Sequence, residues 1–113
     1  MSNIKPESSV FQILFTLNKY MTDKNESNQL ELKTWMSIIK SNLSEMILFE
    51  PFILTDFSVQ HINNILQTQI ELEEKYINNL HNIAQNKRIQ SYDEFKCFVE
   101  AMTSILDSTS WQN

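Results

Sequence analysis

A chain of 113 residues is one domain's worth of sequence, and 42% hydrophobic against 20% charged residues is a globular balance, neither disordered nor membrane-spanning. The formal charge of −5 is spread along the chain, without the clustered Lys and Arg that phosphate affinity requires, so nucleic acid is excluded as an expected partner. No apolar run approaches the ~18 residues needed to cross a bilayer, so a membrane is not an expected partner either.

The chain has no glycine, where average usage predicts about eight. Phosphate-cradling loops of the G-x-G-x-x-G and P-loop types need glycine for close backbone approach, and the G-x-S-x-G elbow needs it for a strained turn. Two-residue β-hairpins need positive φ, which glycine normally supplies. All are excluded as written. Helices joined by polar loops depend least on glycine, because asparagine can serve as the left-handed cap, and this chain is rich in asparagine. The expected fold is therefore all-α: an antiparallel bundle of about four helices forming a single domain over 1–113, with the third helix longest. The opening Met1-Ser2-Asn3-Ile4-Lys5-Pro6-Glu7 lacks the apolar core of a signal peptide. Cys97 is the sole cysteine. Both observations fit a reducing, cytoplasmic location, bacterial or, for a virus- or phage-encoded chain, in the host.

In chain order, the first helix is expected over 8–22, capped by Ser8 or Ser9, with Val10, Ile13, Leu14, Leu17 and Met21 on one face. Phe11 and Phe15 widen that stripe, so this helix is either heavily buried or presents a second apolar edge. The second is expected over 28–49. Asn28 and Glu31 form a loose capping box, and Leu32, Trp35, Met36, Ile39, Leu43 and Met46 recur at steps of three and four. Pro51 ends it. The connection Glu50-Pro51-Phe52-Ile53-Leu54 is apolar and must pack across the end of the bundle or against a partner; the intramolecular reading is preferred.

The third helix is expected over 55–86, capped by Thr55, with Asp56 in its first turn and Lys87-Arg88 at its end, both suited to the helix dipole. Its apolar residues fall on two overlapping stripes. One holds Val59, Ile62, Leu66, Ile70, Ile77, Leu80 and Ala84; the other holds Ile65, Leu72, Tyr76 and Ile83. Glu71-Leu72-Glu73-Glu74-Lys75 interrupts the first, so the helix either breaks there or continues with two faces; the continuous form is preferred. The last helix, over 91–107, opens on the full capping box Ser91-Tyr92-Asp93-Glu94, followed by the stripe Phe95, Phe98, Val99, Met102, Ile105 and Leu106.

Catalytic signals are absent. His61 and His81 stand twenty residues apart, about 30 Å along a continuous helix, too far to share a metal. A di-iron bundle requires Glu-x-x-His, but the residues three before these histidines are Ser58 and Asn78. The glutamates at 71, 73 and 74 read as a solvated face. Cys97 borders an apolar stripe, where a thiol acts as a small hydrophobe. No catalytic residue, metal ligand or cofactor is assigned.

The large apolar side chains are numerous for so small a domain: seven Phe, three Tyr, two Trp and five Met. The expected function is a non-catalytic protein–protein interaction module of adaptor, chaperone, immunity or inhibitor type, acting through apolar helical surface. Its partner is another protein or a second copy. Interface candidates are Phe49, Phe52, Ile53, Ile65, Leu72, Tyr76, Ile83 and Trp111. The alternatives are an amphipathic protein coating a lipid or other apolar surface, and a small enzyme whose site is not visible in sequence.

Overall fold

The computed structural model describes residues 5–43 and 49–108, and within them places five helices and two short strands. They are α1 (Pro6–Thr22), α2 (Glu26–Leu43), β1 (Phe52–Ile53), α3 (Asp56–Gln67), α4 (Glu74–Asn86), β2 (Arg88–Ile89) and α5 (Tyr92–Asp107). The chain is predominantly helical, as its composition implies. The number and lengths of its helices differ from expectation.

The largest difference is in the expected 55–86 helix, which is two helices joined by residues 68–73. Local chemistry closes the first one. The Thr68 hydroxyl donates to the carbonyls of Asn64 (2.9 Å) and Ile65 (2.8 Å), satisfying acceptors that a continuing helix would use. Glu73 then turns the chain back in, its carbonyl accepting from the Tyr76 and Ile77 amides at 3.0 and 3.2 Å. The larger cause is tertiary. A continuous rod would carry Ile62 and Ile65 far from Leu80 and Ile83, and one neighbouring layer could not cover both stripes. Folded back, all four are at most 3% exposed. Burial of such side chains stabilises by about 1.5–3 kcal/mol each, more than the few helix hydrogen bonds given up at the break. The third helix is therefore not the longest; among the described residues α2 is, at 18 residues.

β1 and β2 flank this helical hairpin and pair antiparallel, Phe52 with Ile89 and Ile53 with Arg88. The Leu54 amide adds a bond to the Lys87 carbonyl at 2.8 Å. Strand geometry sends alternate side chains to opposite faces: Phe52 is half-buried, Ile53 exposed and Leu54 buried. Phe52 and Phe49 pack on Phe95, with centroids 6.3 and 5.7 Å away, and Phe49 also meets Tyr92 at 6.3 Å. Phe52 and Leu54 of the apolar connection thus pack within the molecule, while Glu50, Pro51 and Ile53 are exposed. Lys87 supplies the left-handed cap of α4, with φ 57°.

Smaller corrections have local causes. α1 begins at Pro6, whose fixed φ and missing amide proton suit the first helical position. α2 begins at Glu26, because the Asn25 side chain rather than that of Asn28 caps it, accepting from the Asn28 amide at 2.8 Å. Phe49 lies outside the helix expected to reach it, and Met46 lies outside the described residues. Thr55 and Ser91 cap α3 and α5 as expected, each hydroxyl accepting from an amide three residues on at 3.1 Å.

The core runs through all five helices. α1 lies across α2 and α3, and α5 packs on α2 and α4. Val10, Ile13 and Leu14 of α1 and Phe95 and Phe98 of α5 are fully excluded from solvent. The Tyr92 hydroxyl donates to the Leu43 carbonyl at 2.9 Å, fixing the start of α5 to the end of α2.

Candidate functional site

The inner faces of α1 and α3 are filled with aliphatic side chains, and their outer edges carry aromatic ones. Phe11 and Phe15 are one turn apart on α1 and stack with centroids 5.9 Å apart. Phe57 and His61 are one turn apart on α3 and meet edge to face at 4.3 Å. Phe11 and Phe57 join the two pairs at 6.1 Å. Phe15 is 37% exposed, Phe57 48% and Ile53 75%. Beside the rings, Phe11, Ile53, Leu54 and Thr55 line a groove of about 310 Å³ that Glu7, Ser8, Gln12 and Ser58 complete. Two segments distant in sequence, α1 and the stretch running from β1 into α3, therefore converge on one apolar surface.

The charges around it are mixed: Lys5 and Arg88, the exposed cross-strand partner of Ile53, stand among Glu7, Glu50 and Asp56. Glu7 lines the groove and also a shallow depression shared with Lys5, Pro6 and Glu50. Asp56 is exposed beside Phe57. None of the three carboxylates is in an ion pair among the described residues. The nearby cation Lys19, 5.5 Å from the Phe15 ring centroid, is held by Glu31 at 2.7 Å.

His61 lies beneath Phe57, 5% exposed, and neither ring nitrogen has a hydrogen-bond partner. Burial pushes its pKa below the ordinary 6.5, because a charged ring there would be desolvated. The expected 30 Å separation of the two histidines lapses with the broken helix. Even so, His61 touches no donor or acceptor, and His81 is exposed on α4.

The interface candidates read from sequence scatter. Ile53 stands on the surface just described. Ile65 and Ile83 are in the core, 3% and 0% exposed, because the hairpin turns their stripe inward. Phe49, Phe52, Leu72 and Tyr76 are half-buried against the core. Trp111 lies outside the described residues. Phe11, Phe15 and Phe57 were missing from that set. Their signal was present as two aromatic pairs at a spacing of four, Phe11–Phe15 and Phe57–His61, each off the main stripe of its helix.

A second depression of about 510 Å³ lies among Lys40, Leu43, Tyr76, Lys96 and Glu100, with Thr103 and Ser104 on its wall. Cys97, on the adjoining turn, is half-buried, and its thiol pKa is raised by burial and then by Glu100, against a smaller opposing effect from Lys75. A protonated thiol is a poor nucleophile. Helix–loop–helix units can hold calcium when the loop offers carboxylates at alternate positions. Here residues 87–91 carry Lys87 and Arg88, the described connection 49–55 carries a single carboxylate, Glu50, and the α3–α4 connection offers two at alternate positions, Glu71 and Glu73. No cluster of three His, Cys, Asp or Glu side chains is placed to hold a metal among the described residues. No helix among them is long and apolar enough to cross a membrane.

The chain matches no protein family, no curated protein and no solved structure.

Proposed function

We propose that this protein is a non-catalytic protein–protein interaction module whose docking surface is the Phe11, Phe15, Phe57 and Ile53 patch. The observation that carries the reading is the convergence of these side chains from α1, β1 and α3 at one exposed place. Isolated exposed apolar residues are ordinary, whereas contiguous aromatic patches with polar rims mark contact sites. The molecule's exposed area of 6860 Å² is near the about 6,500 Å² of a compact monomer of 13.4 kDa. Of the large apolar side chains exposed among the described residues, Phe15, Ile53 and Phe57 sit at this patch, while Leu30, 66% exposed, is on α2. A cytoplasmic setting accompanies the proposal, since a single cysteine leaves no intrachain disulfide to form.

The test compares the wild type with the Phe15→Ser/Phe57→Ser double variant, as bait in extracts of the native host and by light scattering. Both residues are substantially exposed, so the variant should melt within a few degrees of the wild type. A stoichiometric protein retained by the wild type and lost by the variant, or a wild-type dimer that the variant dissolves, is the expected result. Identical retention by both, or a wild-type monomer that retains nothing, would remove the basis for this function.

A further inference from the structure

We infer that the patch carries a pH-sensitive switch: protonation of His61 drives its ring out to water past Phe57, parts Phe57 from Phe11 and so dismantles the aromatic surface. As a control on docking, this deepens the interaction reading above and rests on it. His61 is 5% exposed, and neither ring nitrogen has a hydrogen-bond partner among the described residues. Its cover is thin. Phe57, one turn earlier on α3, meets the ring edge to face at 4.3 Å, yet is itself 48% exposed, so water stands on the far side of that cover. Phe57 is also the α3 ring that joins Phe11 of α1, at 6.1 Å. It sits in the first turn of α3, where a change of rotamer leaves the helix hydrogen bonds in place. Swinging Phe57 aside uncovers the histidine and opens the α1–α3 junction in one step.

Charge sets the direction. A buried imidazolium needs a counter-ion or water. α1 and α4 pack on α3. α1 brings Glu7, Lys19 and Tyr20, with Lys19 held by Glu31 at 2.7 Å. α4 brings Glu74, Lys75, Tyr76 and His81, with Lys75 3.7 Å from Glu73. The β1–β2 bridge leading into α3 brings Arg88, and α3 itself adds Asp56. No charge among them governs the ring, whose pKa is held below 6.5 by burial. Closed, His61 stays neutral; opened, it titrates as an ordinary histidine. Each unit of pH below about 6.5, as far as the closed ring's own pKa, therefore favours the open, charged form by about tenfold.

The test is an NMR titration of the full chain, labelled in its histidine and phenylalanine rings, from about pH 7.5 down to about pH 5, above the range in which ordinary carboxylates take up protons. His61→Leu and Phe57→Leu identify the two ring signals. His61→Gln, polar and without charge at these pH values, accompanies them in case leucine alters the packing. In the wild type, His61 should titrate with a midpoint below 6.5, and the cross-relaxation between the Phe11 and Phe57 rings should be lost with that same midpoint. Helix content by circular dichroism should hold throughout, and the Phe11–Phe57 signal should persist in both His61 variants. A ring contact that survives while His61 titrates, or a His61 that stays neutral down to about pH 5, would overturn the switch. So would loss of the contact in the His61 variants as well, or a fall in helix content at the same midpoint, which would make the event global unfolding. Each of these failures leaves the patch itself standing, because the bait comparison of wild type with Phe15→Ser/Phe57→Ser is made at neutral pH.

Discussion

Replacing His61 with leucine should make the protein more stable, and increasingly so as the solution is acidified. The ring is 5% exposed with both nitrogens unpartnered. A buried polar group without a partner costs about 1–3 kcal/mol, and an apolar side chain of similar volume removes that cost. His61→Leu also loses the edge-to-face contact with Phe57, at 4.3 Å, a loss of about 0.5–1.5 kcal/mol. The net gain is about 0.5–1.5 kcal/mol. Unfolding entropy near 2.1 cal/mol/K per residue over a chain of this length converts this to roughly 2–6 °C in Tm. Protonation adds a direction. The folded pKa lies below 6.5, so below that pH the unfolded chain binds a proton the native ring refuses. Wild-type stability therefore falls as pH drops from about 6.5 towards the folded pKa, by at most about 1.4 kcal/mol per unit. The variant lacks this loss, and its advantage widens with acidity. Thermal melts of both proteins by circular dichroism, at steps between about pH 7.5 and 5, measure the gap directly. A variant that melts lower at neutral pH, or a gap that stays constant on acidification, would refute the assignment of His61 as a buried neutral ring without partners.

Two further outcomes follow from backbone features. Lys87 sits at φ 57°, a conformation costing a side-chain-bearing residue about 1–2 kcal/mol, so Lys87→Gly, after the entropy that glycine adds to the unfolded chain, should raise Tm by about 2–4 °C; an unchanged or lower Tm would deny strain at the α4 cap. Ser91→Ala removes the acceptor of the Glu94 amide at 3.1 Å and should cost about 1 kcal/mol, or roughly 4 °C, whereas Ser91→Asp, another good cap, should retain most of it in the same melt.

How much could be read from the chain depended on how far each cause reaches. α5 was legible almost to the residue, because Ser91, Glu94 and the following apolar stripe act within one helix. Thr55 was legible for the same reason. The break at 68–73 was not, since Thr68, Glu73 and Glu74 are all tolerable inside a helix; the deciding fact is that Ile62 and Ile65 must share a core with Leu80 and Ile83. The two competing stripes hinted at this, and the continuous reading set that hint aside. The pairing of Phe52 with Ile89 joins segments too distant for any window of periodicity. The candidate surface was half visible in Phe11, Phe15 and Ile53. Phe57 was hidden by its position two residues after a cap, where it belongs to no stripe.

The two-residue bridge at the base of the α3–α4 hairpin also acts as an orientation lock. Side chains along a strand alternate, so a slip of one position against Arg88 and Ile89 would invert the segment, carrying Ile53 inward and turning Phe52 and Leu54 out to water. The interior would lose two large groups and gain one. The choice of which hydrocarbon faces the outside world is thus made by a handful of amide–carbonyl pairings between remote stretches of chain, and composition alone leaves it open.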